Sequence, residues 1–146
     1  MEEKSVVDIT WFITGYHVFK FRPDKNEELN LYKEKKNPVD PWAIMVRTKS
    51  GKNVGRVPAN LCRLLRLLKD VKKADNFKCR FTNTVFRVKN HTKQFKRNIP
   101  FDIAGGGAVL SCQYSFTCLK RDLDDIKKYA QANIPEEELH RFIYQD

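Results

Sequence analysis

The sequence predicts a mainly β protein: a small, mostly antiparallel β-barrel with one inserted helix and helices at its C-terminal end. Three observations predict it. Short runs of β-branched and aromatic residues recur between turn signals. Residues 58–73 carry an apolar stripe at helical spacing. Residues 121–146 return to helical periodicity and reverse the charge of the chain. Strands interrupted by one helix and followed by others fit such a barrel.

Residues 5–14 are β-branched and aromatic and predict a first strand. Gly15 interrupts it as at a bulge or a sharp bend. Residues 16–21 continue in alternation, with Tyr16, Val18 and Lys20 on one face and His17, Phe19 and Phe21 on the other. A polar loop follows, and Leu29, Leu31 and Lys33 mark a short strand. Pro38 and Pro41 then fix φ and push Asn37 and Asp40 into extended conformations. Asp40, with its short carboxylate, is suited to hold a turn by accepting nearby N–H groups. Residues 42–46 predict a buried strand, 49–52 a hairpin turn, and 53–58 the return.

Pro58 suits the first turn of a helix, where its missing N–H costs nothing. Leu61, Leu64, Leu65 and Leu68 form one stripe, while Arg63, Arg66, Lys69, Lys72 and Lys73 make the outer face cationic. Residues 77–81 and 84–88 alternate and predict two strands, and 99–103 another short one. Between them lies a segment with Lys89, Lys93, Lys96 and Arg97 and no acid. The glycine run at 104–108 fits neither a Walker loop nor a dinucleotide fingerprint and predicts a loop or bulge. The longest strand is expected at 108–118, with Leu110, Cys112, Tyr114, Phe116 and Cys118 facing the core. A helix over 121–133 has its acids in the first turn, and a second short helix opens at Pro135, carrying Leu139, Phe142 and Ile143.

The net charge of +10 is uneven. Residues 121–146 hold 4 Lys/Arg against 7 Asp/Glu, which leaves residues 1–120 at +13. Two parts are expected: a barrel domain over 1–120 and an acidic helical extension over 121–146 on or beside it. A surface this positive concentrates phosphate polymers and acidic partners. Cys62, Cys79, Cys112 and Cys118 lack the spacing of a zinc site or a disulfide scaffold and read as buried small hydrophobes. The absence of long apolar runs and of a signal-like start points to an intracellular protein with no membrane partner.

Catalysis finds little support. His17, His91 and His140 are scattered, and the acidic pairs sit where loops and helix starts explain them. No enzyme activity, metal or cofactor is expected. Small barrels bind single-stranded nucleic acid by combining a cationic groove with aromatic faces for base stacking. Candidate aromatics are Tyr16, Phe19, Tyr32 and Trp42; candidate cations are Lys33, Lys35, Lys36, Arg47 and Arg56, with Lys89, Lys93, Lys96 and Arg97 as a secondary basic surface.

The block Asn37-Pro38-Val39-Asp40-Pro41-Trp42-Ala43-Ile44-Met45-Val46, then Gly51, then Gly55-Arg56-Val57-Pro58 before a helix, resembles the HIRAN domain. Upstream, Gly15-Tyr16-His17-Val18-Phe19 is similar to that family's early strand. The resemblance covers about residues 10–118 and is strongest over 37–65. It implies a modified OB-like β-barrel with helices attached. It also implies a reader of DNA 3′ ends of the kind found in helicase-like, ubiquitin-ligase-type fork-remodelling enzymes, and hence a nuclear, DNA-repair setting. In the family two aromatics sandwich the terminal bases and an Asp accepts a hydrogen bond from the 3′-hydroxyl. The matching Asp is Asp40 and the turn Asn is Asn37. Val39 stands where the family has an aromatic, His17-Val18 near its Arg-Tyr, and Arg56 at its His or Tyr. The stretch around Ala108 also lacks an aromatic that some members carry there.

Each stacked base contributes about 1–3 kcal/mol, so the loss of two platforms shifts the expected binding toward phosphate contacts. The leading expectation is a monomeric module that binds single-stranded DNA or its 3′ ends through a cationic groove around the 37–40 turn. The alternative is a protein-interaction module using the altered pocket or the C-terminal helices, with Leu139, Phe142, Ile143 and Tyr144 as a docking face. A nuclease using the acidic pairs is a third and weaker alternative.

Overall fold

Alternating apolar and polar residues build one antiparallel sheet. A computed structural model describes residues 2–15, 19–34, 43–87 and 108–145. Its strands are β1 (Lys4–Ile13), β2 (Glu28–Lys33), β3 (Ile44–Arg47), β4 (Asn53–Arg56), β5 (Asp75–Arg87), β6 (Ala108–Leu119) and β7 (Phe142–Gln145). They lie in the order β4-β3-β2-β5-β6-β1-β7. Two helices, α1 (Ala59–Asp70) and α2 (Leu123–Asn133), touch each other, and short 3₁₀ turns cover Lys120–Asp122 and Glu136–Arg141.

The sheet is not closed into a barrel, against the OB-like barrel the sequence predicts. Among the described residues its edges are β4 and β7. A closed barrel would need β4 along the free edge of β1, but β7 holds that edge from Val6 to Ile9. Only the tip remains, where Thr14 and Arg56 make an isolated bridge. The strand that blocks closure is one the sequence disguises: Phe142 and Ile143 have helical spacing from Leu139, yet the 3₁₀ turn ends at Arg141 and the chain extends.

Two other expectations change. Residues 77–81 and 84–88 are largely one strand, β5, whose register against β6 shifts between Phe81 and Val85. Phe19 to Phe21 do not prolong β1; Gly15 at φ +90° turns the chain away after the Thr14 bridge. The expected strand at 99–103 and the glycine run lie outside the described residues.

The core follows the expected faces. Leu110, Cys112, Tyr114, Phe116 and Cys118 of β6 are buried against Val7, Ile9, Trp11 and Ile13 of β1 and the Leu61, Leu64, Leu65 and Leu68 stripe of α1. Each fully buried Leu contributes about 1.5–3 kcal/mol. All four cysteines are free and buried. Tyr114 Oη donates to Phe12 O at 2.7 Å, which satisfies its hydroxyl. Burial pushes the Tyr114 phenol and the Cys79 thiol well up from their ordinary values, with neighbouring Cys112 adding to both. The hairpin turns at Gly51, φ +95°, and Thr48 closes it: its N–H donates to Lys52 O and its carbonyl accepts from Gly51 N, each at 2.9 Å.

Candidate nucleic-acid interface

Register decides which side chains of the β2–β3–β4 ribbon share a face. Met45 lies opposite both Tyr32 and Arg56, so these three form a row across the strands. The next row is Asn30, Arg47 and Asn53. Tyr32, Arg47 and Arg56 therefore project on one side, away from Leu31 and Lys33.

Arg56 sits where β4 crosses the end of β1. Thr14 and Arg56 exchange backbone hydrogen bonds at 2.9 Å in both directions. This close approach needs the glycine before it: a Cβ on Gly55 would lie 2.1 Å from Thr14 O and 2.6 Å from Ile13 Cγ2. The guanidinium of Arg56 then meets Glu34 two-pronged, Nε to Oε2 at 2.9 Å and Nη2 to Oε1 at 3.1 Å. Its Cζ lies 5.8 Å from the centroid of the half-buried Phe19 ring. Phe19 is held by its N–H to Gly15 O at 3.2 Å.

The second pair is Tyr32 and Arg47. Tyr32 is 44% exposed, and Arg47 Cζ lies 3.9 Å from its ring centroid. Asn53 Oδ1 accepts from Arg47 Nε at 2.8 Å and fixes the guanidinium plane. The ribbon thus presents two guanidinium–aromatic pairs on one face.

Of the predicted site residues, the structure brings together Phe19 and Arg56, joined by Tyr32 and Arg47. Tyr16, His17, Lys35, Lys36, Asn37, Val39, Asp40 and Trp42 lie outside the described residues, as do Lys89, Lys93, Lys96 and Arg97. Lys33 faces the other side of the ribbon. Sequence reasoning missed Glu34. Its position two residues after Tyr32 puts it on the Tyr32 face, but only the register of β3 and β4 shows that it reaches Arg56. Among the described residues no cluster of His, Cys, Asp and Glu is arranged to hold a metal ion, and no helix is long and apolar enough to cross a membrane.

The family model of the HIRAN domain matches residues 9–103, which include the second half of β1, β2 to β4, α1 and both halves of this site. The chain belongs to the HIRAN family. Solved structures of HIRAN domains share its fold. The crystal structure of the HIRAN domain of human HLTF aligns with a TM-score of 0.64 at 16% identity, covering 90% of this chain and 93% of that one. The NMR structure of the HLTF HIRAN domain in its DNA-bound conformation aligns with a TM-score of 0.59 at 18% identity, covering 88% and 91%. At such identities the likeness is one of fold. No curated protein matches the chain in sequence.

Proposed function

We propose that this HIRAN domain binds nucleic acid, single-stranded DNA foremost, on the outer face of the β2–β3–β4 ribbon. The observation that carries it is the pairing of Tyr32 with Arg47 and of Phe19 with Arg56 on one face of a family whose HLTF member has been solved in a DNA-bound conformation. A member of this family is a binding module, and no catalytic step is assigned to the chain. Guanidinium groups engage phosphates in pairs of hydrogen bonds and stack on rings, so each pair offers a base platform beside a phosphate contact.

The 37–40 turn contributes Asp40 to accept from a terminal 3′-hydroxyl, with Asn37, Lys35 and Lys36 beside it. In this reading Tyr16, His17, Val39 and Trp42 serve the same strand-end recognition, and Lys89, Lys93, Lys96 and Arg97 supply further phosphate contacts. Glu34 sets the strength of the site. A phosphate must compete with its carboxylate for Arg56, so the end pocket holds DNA more weakly than an uncontested arginine would. A nuclear location follows from this function.

Fluorescence anisotropy tests it with four probes at two salt concentrations: a single strand with a free 3′-hydroxyl, its 3′-phosphorylated twin, a duplex and an RNA. The expected result is preference for the free single strand and affinity that falls steeply with salt. Equal binding to all four would remove end reading, and no binding to any would remove the function.

A further inference from the structure

The sheet splits between β2 and β5. Glu28 pairs with Arg80 and Leu29 with Cys79, while Phe81 N donates to Glu27 O at 3.1 Å. The same register would next set Leu31 against Phe77 and Lys33 against Asp75, but β2 goes on with β3 alone. The divergence has a local cause. Asn76 adopts φ +54°, and the pairing of β5 with β6 shifts between Asp75 and Lys78. Such a bulge bends a strand away from its neighbour. Asn76 Nδ2 donates to Thr117 Oγ1 at 3.3 Å, and the Thr117 hydroxyl donates to the Asp75 carboxylate, which pins the bulge to β6.

Among the described residues no strand pairs with the β2 side of the split beyond Leu29. Glu34 N donates to Ala43 O, so even-numbered residues of β2 turn their backbone toward β3. Leu31 and Lys33 therefore point theirs into the split. Behind it lies a cleft of about 290 Å³ floored by α1. Leu31, Ile44, Leu65 and Phe77 make it apolar, and Lys33 and Lys69 stand on its rim. Among the described residues no carboxylate pairs with Lys33 or Lys69. Asp75, the one acid among the described lining residues, already accepts from Thr117.

We propose that this cleft takes an extended acidic peptide segment of a partner protein, which adds as a strand to residues 31–33 of β2. One apolar side chain of the segment seats between Leu31, Ile44, Leu65 and Phe77. Side chains two positions away lie on the same face and set carboxylates against Lys33 and Lys69. A nucleotide has no use for a strand edge, and the Phe77 ring is already packed on Phe116 at 5.7 Å, which leaves no free platform for a base. The cleft is on the face opposite Tyr32 and Arg47, so peptide and nucleic acid occupy two sides of β2 without competing.

The test is an amide NMR titration of the whole chain with a capped nonapeptide whose one central leucine has a glutamate two positions to either side, so that leucine and glutamates share a strand face. Its controls are the same peptide N-methylated at alternate amides, a lysine–leucine counterpart and a ten-residue oligo-dT. The glutamate–leucine peptide is expected to shift the Leu31 and Lys33 amides and slow their hydrogen exchange. N-methylation is expected to weaken binding at least about tenfold, as is Lys33→Glu combined with Lys69→Glu, which alters only exposed rim charges. The proposal is overturned if millimolar peptide leaves these amides unmoved, if the N-methylated peptide binds equally, or if oligo-dT moves them instead. Oligo-dT binding elsewhere on the protein is read in the same spectra, so failure of the peptide site and failure of the nucleic-acid site are separate results.

Discussion

The β1–β6–β5 slab and the β2–β3–β4 ribbon use the same strand chemistry for opposite ends. β1 pairs with β6 along its entire length, and its inward residues Val7, Ile9 and Ile13 are fully buried. The ribbon has short ladders, a register shift between Val46 and Arg47, and a single bridge to β1. Its inner side is as dry as the slab, with Val46 and Val54 fully buried, but its outer side carries rings capped by guanidinium groups. Where a sheet is long and covered on one face, side chains stabilise the fold. Where it is short and open at two edges, they are available for recognition.

The contrast is sharpest in the response to truncation. Phe116→Ala in the slab is expected to cost about 3–5 kcal/mol, measured by chemical denaturation. Tyr32→Ala in the ribbon is expected to leave stability within about 0.5 kcal/mol and to remove about 1–3 kcal/mol of binding to single-stranded DNA. A large stability loss at Tyr32 would break the division between the two regions.

Gly55→Ala tests the one place where they are joined. Its Cβ would strike the Thr14 carbonyl, so β4 must part from β1 or the backbone must shift; a cost of about 1–3 kcal/mol in unfolding free energy is expected. Gly51→Ala, where a Cβ would meet no atom within 4 Å but φ is +95°, isolates backbone strain as a control.

The slab also carries the pH dependence. The Cys79 thiol and Tyr114 phenol are raised by burial from ordinary values of 9.0 and 10.0. Above those values the unfolded chain loses protons that the folded chain keeps. Stability is therefore intact below about pH 9 and falls as pH rises, by about 1.4 kcal/mol per unit for each group once its unfolded form is ionised. Denaturation curves at pH 7 and pH 10.5 measure this, and Cys79→Ala should make the fall shallower, while Cys118, whose thiol is also raised by burial, keeps the onset near pH 9. Unchanged stability at pH 10.5 would mean these groups titrate freely.

The smallest effect concerns Glu34. Glu34→Gln frees Arg56 from its carboxylate and is expected to raise single-strand affinity about two- to fivefold and to steepen the salt slope by about one phosphate contact. A fall in affinity would show that Glu34 holds Arg56 in place rather than competing for it.

Most of the slab was legible in sequence because its signals are local. The alternation of residues 110 to 118 and the leucine stripe of α1 each predict a buried face without knowledge of neighbours. Closure was not legible. It depends on which strand takes the free edge of β1, and Phe142 and Ile143 carry a helical spacing that the backbone does not follow. The site was half legible. Phe19, Tyr32, Arg47 and Arg56 stand out by residue type, and Gly55 by its place before Arg56. That Arg47 lies over Tyr32 and Glu34 locks Arg56 are facts of register between β2, β3 and β4, and pairing register is not written in any one strand.

The measurement that bears most directly on the ribbon as the nucleic-acid surface is a charge-matched comparison by anisotropy with a 3′-hydroxyl single strand. One variant is Arg47→Ala with Arg56→Ala. The other is Lys78→Ala with Arg80→Ala on β5, where Arg80 also has an acidic partner, Glu28 at 3.4 Å. Both remove two positive charges. A loss of at least about tenfold for the ribbon pair and less than about threefold for the β5 pair is the predicted result. Equal losses would contradict it and leave only a diffuse positive surface.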